Sequence, residues 1–258
     1  MSTATEKVKV LKRNYGWRPD LPDHRDLLYA AVMRVPAVVP AKVDLRIFCS
    51  AVEDQGQLGS CTANALVGSL EFLENKARTV LFTDLSRLFV YYNERTVEGT
   101  VDSDSGAMLR DGIKTLAKQG VCREKSWPYN IETFTKKPSA ACFKEAAKHT
   151  ISSYHRLNTV DEMRACLAES YPFVFGFTVY DGFESATVAK NGIVNLPKAK
   201  ERPLGGHAVM AVGYDDKTKR FTVRNSWGPD WGKKGYFTIP YDYLADRNLS
   251  DDFWTVRK

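Results

Sequence analysis

The chain has 258 residues, 43% of them hydrophobic and 26% charged, with a formal net charge of +6. This is ordinary globular composition, enough to bury a substantial core in one large domain or in two lobes sharing a cleft. It has no apolar run of about 18 residues to span a membrane and no long basic stripe of the kind nucleic acid requires. The start, MSTATEKVKV, lacks an apolar h-region, so no Sec signal is expected and the cytoplasm is the default compartment, with export by a non-Sec route as the alternative. Five cysteines (Cys49, Cys61, Cys122, Cys142, Cys166) are an odd number, so at least one thiol stays out of an internal bridge. A Cys122–Cys142 bridge would need an oxidising destination.

Residues 1–38 read as an extension. It holds the basic run KVKVLKR (7–13), read as a solvated arm, and the aperiodic stretch YGWRPDLPDHRD (15–26), read as an irregular docked segment. The first half of the remainder reads helical. CTANALVGSLEFLENKAR, from Cys61, sets Leu66, Leu70, Leu73 and Ala77 at helical spacing opposite a polar face. DLSRLFVYYNERTV (84–97) predicts a second helix starting near Ser86. SGAMLRDGIKTLAKQG (105–120) predicts a third, stopped by Gly120, and SAACFKEAAKH (139–149) a short fourth. Thr159 and Glu162 form a capping box for one more short helix. Strand-like runs follow at 171–180, 206–216, 220–228 and 234–244. Helices followed by strands predict an α+β fold of two lobes, whose seam is a natural cleft.

DQGQLGSCTAN (54–64) surrounds one thiol with a Gln, two glycines and a Ser. Cys61 opens a helix, where unpaired N–H groups and partial positive charge favour a thiolate. The same N–H groups, with the Gln55 side-chain amide folded back, could receive an oxyanion. Of the four histidines (His24, His149, His155, His207), His207 opens the apolar strand HAVMAVGY behind two glycines and is placed to face a cleft. Asn225 falls beside it if the strands at 207–214 and 220–227 form a hairpin, with position 207 opposite about 226, and would orient the imidazole. Trp227 would shield that contact.

DQGQLGSCTANA, GGHAVMAVGYDD and NSWGPDWGKKGYFTI resemble, in order, the three signature blocks of papain-like cysteine peptidases. The resemblance covers roughly residues 39–258, starting with PAKVDLR (40–46). It implies a papain-like fold, with a helical lobe (39–150) and an antiparallel, β-barrel-like lobe (151–258) flanking an active-site cleft. It also implies peptide-bond hydrolysis by an endopeptidase of a bacterial or archaeal type. Cys61 would be the nucleophile, His207 the general base and then acid, Asn225 the orienting group, and Gln55 the oxyanion donor beside the Cys61 N–H. Cys61 and His207 would rest as thiolate and imidazolium. Gly106, Ala107 and Met108 align with the glycine-rich segment that pairs with an extended substrate, Met108 or Leu109 lying near the pocket for the second residue before the scissile bond. No metal or cofactor is implied, the partner is a peptide or protein substrate, and a monomer is favoured, with neither nucleic acid nor membrane as a partner.

The chain departs from the family pattern in places. Leu58 stands where a disulfide cysteine is frequent, and Thr62 where an aromatic usually follows the nucleophile, which predicts a more open and polar cleft wall. Gly206 stands where some relatives are charged. The 38-residue extension is short for a family propeptide, and its role is expected to be a zymogen-like cover of the cleft or a structural strap. Two other functions fit the same residues: a non-catalytic peptide-binding protein on this scaffold, and acyl transfer to an amine, as in transglutaminase-like enzymes.

Overall fold

The computed structural model describes residues 13–33, 36, 38–77 and 82–258; most of the basic run at 7–13 lies outside them. The extension carries a short helix, α1 (Tyr29–Val32), and a first strand, β1 (Lys42–Asp44), follows it. Next come the long α2 (Cys61–Ala77), α3 (Arg87–Glu98), α4 (Leu109–Lys118) and α5 (Ala140–Ala146). The second half alternates strand and helix: β2 (Ser153–Arg156), α6 (Val160–Ala168), β3 (Phe173–Tyr180), α7 (Ala186–Asn191) and β4 (Pro203–Asp215). It closes with β5 (Arg220–Arg224), β6 (Tyr236–Pro240), α8 (Tyr241–Ala245) and β7 (Ser250–Arg257).

The strands form one antiparallel sheet in the order β2-β7-β3-β4-β5-β6, with β1 also paired to β4. This sheet is open, which corrects the expected barrel; the segment 234–244 bends into α8 after Pro240 rather than running on as strand. β1 joins the sheet of the second half, so the two halves of the chain are not cleanly separate layers. β7, the partner of both β2 and β3, was missed in the sequence because SDDFWTVR opens on three polar residues without alternation.

The helix expected from 105 begins at Leu109, leaving Gly106–Met108 outside it to pair with other chain segments. Ser86 caps α3 by accepting the Phe89 N–H at 3.1 Å. The capping box at α6 is half formed: Thr159 Oγ1 accepts the Glu162 N–H, while Glu162 takes the N–H of Asn158.

α2 is the spine of the molecule, packed between β4 and the helices α3 and α4. The polar face predicted for it is buried: Thr62, Asn64, Ser69, Glu71 and Glu74 are all covered. Burial requires partners for such groups. Glu71 accepts from Arg87 at 2.7 and 2.8 Å, from the Leu85 N–H and from Ser50 Oγ at 2.6 Å. Ser50 in turn holds Arg224 at the end of β5. The network therefore ties the helix that opens at Cys61 to the strand end preceding Asn225. Removing one partner of a buried pair leaves a stranded charge. Glu71→Ala is expected to cost about 3–5 kcal/mol in urea unfolding; a loss below about 1 kcal/mol, the size of a surface pair, would contradict this account.

Candidate active site

β4 is long enough to serve two partners. Its first half pairs with β3 (Phe177↔His207, Gly176↔Ala208), and β5 joins at Met210↔Arg224. That register lies a residue or so from the expected one, with an irregularity between Ala211 and Gly213. β5 ends at Arg224, so Asn225 to Gly228 leave the sheet beside the start of β4. That departure brings Asn225 to His207: His207 Nε2 lies 2.8 Å from Asn225 Oδ1. The Ser226 N–H also donates to Asn225 Oδ1, at 2.9 Å, which fixes that atom as an oxygen. Nε2 must therefore carry the proton, and in the neutral ring Nδ1 is the bare nitrogen. Nδ1 is buried without a hydrogen-bond partner.

Trp227 lies over the imidazole, with ring centroids 5.1 Å apart and planes 33° from parallel. It is 5% exposed and shields the His–Asn bond on one side. Across the cleft, Cys61 is the first residue of α2. The backbone N–H groups of Ala208, Gly16 and Thr62 lie near its sulfur. Because Ala208 adjoins His207, the thiol and imidazole share one site.

Gln55 is fully buried. Its Oε1 accepts from Ser226 Oγ at 2.6 Å, which turns Nε2 toward the cleft, where it meets the carbonyls of Leu58 (2.9 Å) and Asn14 (3.4 Å). Three supports were invisible in the sequence. Asp104 accepts the Gly59 N–H and the Tyr91 hydroxyl, Tyr129 donates to the Gln55 carbonyl, and Ser226 orients the Gln55 amide. Each acts on a partner distant in the chain, so no local spacing signals it. Thr62 also departs from expectation. It is buried, with its hydroxyl donating to Glu94 at 2.8 Å, and does not form an open polar wall.

The extension runs through this cleft. Gly16 O accepts the Ala107 N–H at 2.7 Å, Arg18 N donates to Ala107 O at 3.0 Å, and Trp17 N donates to Gly206 O at 2.9 Å. The last bond uses the edge of β4 that β5 leaves free. Of the three residues expected to pair with an extended chain, Ala107 does so. Gly106 supplies clearance, since a Cβ there would lie 2.1 Å from Gly16 O, and the Met108 N–H is taken by Glu98. Upstream, Tyr15 hydrogen-bonds Glu184, and Arg13 pairs with Asp54 at 2.5 Å over the face of Trp227.

Burial by this segment changes the chemistry at the site. Loss of water, partly offset by the Ala208, Gly16 and Thr62 N–H groups, pushes the Cys61 thiol up to about 11. Loss of water also pulls the imidazole of His207 down to about 4, against the hydrogen bond to Asn225. In this arrangement burial favours the neutral form of each group, against the expected thiolate–imidazolium pair. All five cysteines are free thiols, so the Cys122–Cys142 bridge is not formed.

Residues 39–250 match the model of the papain family of cysteine proteases. The chain belongs to that family. It is 44% identical to xylellain, a cysteine protease from Xylella fastidiosa, with a TM-score of 0.88 and coverage of 96% of this chain and 97% of that one. It is 40% identical to an uncharacterized peptidase C1-like protein of Acanthamoeba polyphaga mimivirus, over 97% of this chain and 89% of that protein. Pro-cathepsin H of Bos taurus is more distant, at 27% identity over 89% of this chain and 68% of that protein. The chain is accordingly a papain-like cysteine protease, a hydrolase of the thiol class, in its family membership.

Two measurements check the closed arrangement. A Cβ on Gly16 would lie 1.7 Å from the Gly59 carbonyl oxygen, so Gly16→Val cannot dock as the parent does. It is expected to speed iodoacetamide labelling of Cys61 at least about tenfold; an unchanged rate would count against a covered thiol. Asp20, docked beside Asp252, is raised from 3.8 to about 7 by burial and by that neighbouring carboxylate. The docked state therefore binds a proton that the free segment releases, and docking weakens as pH rises through about 7. The Tm of the parent should fall relative to Asp20→Asn across that window; parallel curves would refute the linkage.

Proposed function

We propose that this protease is an endopeptidase working through Cys61, His207 and Asn225, with Gln55 as oxyanion donor, and that its own residues 13–20 silence it until they leave the cleft. The observation that carries the reading is the bare Nδ1 of His207, fixed as the basic nitrogen by Asn225 and sharing a site with Cys61. With the segment gone, water returns, the charged forms of both groups recover, and Nδ1 takes the thiol proton. The thiolate attacks a peptide carbonyl carbon. The oxyanion forms toward Gln55 Nε2 and the Cys61 N–H, His207 protonates the leaving amine, and the C–N bond breaks. Water, deprotonated by the same imidazole, then releases the acyl group from sulfur.

The carbonyl of Asn14, 3.4 Å from Gln55 Nε2, supports the assignment of that amide as a donor to carbonyl oxygen. The Gly16 carbonyl is held by the Ala107 N–H, and it is the Gly16 N–H that lies near the Cys61 sulfur. The segment is therefore docked as a cover and not as a substrate at that bond. An extended chain passes the thiol on both sides without interruption, which supports cleavage within a chain over trimming from an end.

In the Gly16→Val background, Cys61→Ala should abolish cleavage of an acetylated, amidated peptide. Gln55→Ala should slow it on the order of 10²–10³-fold. Neither change should unfold the chain. Turnover surviving in Cys61→Ala would sink the reading, and cleavage confined to peptides with free ends would sink the endopeptidase part.

A further inference from the structure

The peptide group between Leu58 and Gly59 is held from both ends, and its two holders come from different parts of the chain. Its carbonyl, Leu58 O, accepts the Gln55 side-chain amide at 2.9 Å and the Ser60 N–H at 2.8 Å. Its N–H, on Gly59, donates to the carboxylate of Asp104, 2.9 Å from Oδ1 and 3.1 Å from Oδ2. The fit is close: a Cβ on Gly59 would lie 2.9 Å from Asp104 Oδ1 and 3.4 Å from the Gly16 Cα. No covalent bridge holds this turn. Leu58 stands where the family often has a cysteine, and all five cysteines are free thiols.

Asp104 is itself anchored. The hydroxyl of Tyr91, on α3, donates to Asp104 Oδ1 and accepts the Gly106 N–H at 3.2 Å. The docked extension adds the Asn14 side-chain amide, 3.1 Å from Oδ2. Gly59 and Tyr91 lie outside the extension, so their bonds do not depend on it. A carboxylate braced on a buried helix thus meets the turn that leads into Cys61.

The consequence runs through Gln55. A side-chain amide has two N–H donors. Ser226 Oγ holds Gln55 Oε1 at 2.6 Å and Leu58 O takes one N–H, which stops rotation about the last torsion. The other N–H is left for the place where Asn14 O lies, 3.4 Å from Nε2. Leu58 O can direct the amide in this way only while its own peptide plane is fixed. Asp104 fixes that plane from the N–H side, with a charge-assisted bond stronger than a neutral one. Drawing on the Gly59 proton also makes Leu58 O a better acceptor.

We propose that Asp104 is a positioning residue for the oxyanion donor, holding the Gln55 amide in its working orientation through the Leu58–Gly59 peptide. The proposal rests on the reading of Gln55 given above. Because its route to the chemistry is Gln55, Asp104 governs kcat and leaves the nucleophilicity of Cys61 alone.

The test is a double-mutant cycle on kcat for an acetylated, amidated peptide, run in the full-length Gly16→Val chain. Asp104→Ala should lower kcat about tenfold or more with KM little moved. Asp104→Asn, which keeps an acceptor for the Gly59 N–H, should recover most of the loss. Tyr91→Phe, which takes away only the anchor, should show a smaller loss with the same dependence on Gln55. In a Gln55→Ala chain, Asp104→Ala should cost about twofold or less, because its route is already cut. Alkylation of Cys61 by iodoacetamide displaces iodide and forms no oxyanion, so its rate should match that of Gly16→Val, whereas a merely structural loss would slow labelling and cleavage together. No loss in Asp104→Ala, the same loss with and without Gln55, or labelling that falls in step with cleavage would each overturn the proposal. If Gln55→Ala alone leaves kcat unchanged, the oxyanion reading falls and takes this proposal with it; a Gln55 effect without an Asp104 effect sinks the proposal alone. Should Gly16→Val not cleave, the peptidase reading fails, and NMR exchange of the Gln55 side-chain amide reads the coupling without turnover. Asp104→Ala should speed that exchange about tenfold, and an unchanged rate overturns the proposal.

Discussion

The backbone of Gly16 lying across the thiol of Cys61 is the contact on which the state of the whole cleft depends. The approach is so close that a single added methyl would strike the Gly59 carbonyl. It seals the sulfur and the imidazole away from water, and low local dielectric then favours the neutral forms of both. Burial thus works against the charged forms that the proposed nucleophile and base would need. The Asn225 bond persists in this state and holds the imidazole by Nε2, leaving Nδ1 bare.

The scaffold explains why that contact can form. β4 runs past the end of β5 and keeps one edge unpaired beside His207, and unpaired strand edges attract another extended chain. Ala107 offers its N–H and carbonyl from the opposite wall because α4 starts only at Leu109. The two rims together hold residues 16–18 in extended form. The glycines at 106, 176 and 206 make room for backbone and ring at those same places.

Much of this was legible in the sequence. The flexible residues around Cys61, the helix behind it, and the placement of Asn225 beside His207 follow from local pattern and spacing. The hairpin register missed only slightly: the turn sets Asp215 opposite Arg220, and the irregularity between Ala211 and Gly213 takes back part of that offset. Ala107 was named among three neighbours and proved to be the one that pairs. What the sequence concealed depends on long-range partners. The buried polar face of α2 looked solvated because Arg87 and Ser50, which satisfy Glu71, lie well apart from it in the chain. Thr62 looked like an open wall because Glu94, its acceptor, is on another helix. The charge state expected for Cys61 and His207 rests on the residues' intrinsic chemistry, whereas burial pushes both toward the neutral form.

The central claim concerns the protonation of one ring, and NMR titration of the labelled His207 imidazole reports it directly. In the full-length parent the imidazole should remain neutral at every pH above about 5, in keeping with a value near 4. In Gly16→Val, with water readmitted and the thiolate able to form beside it, the imidazolium should persist to neutral pH or beyond. Identical titration curves in the two chains would mean that the segment does not control the site.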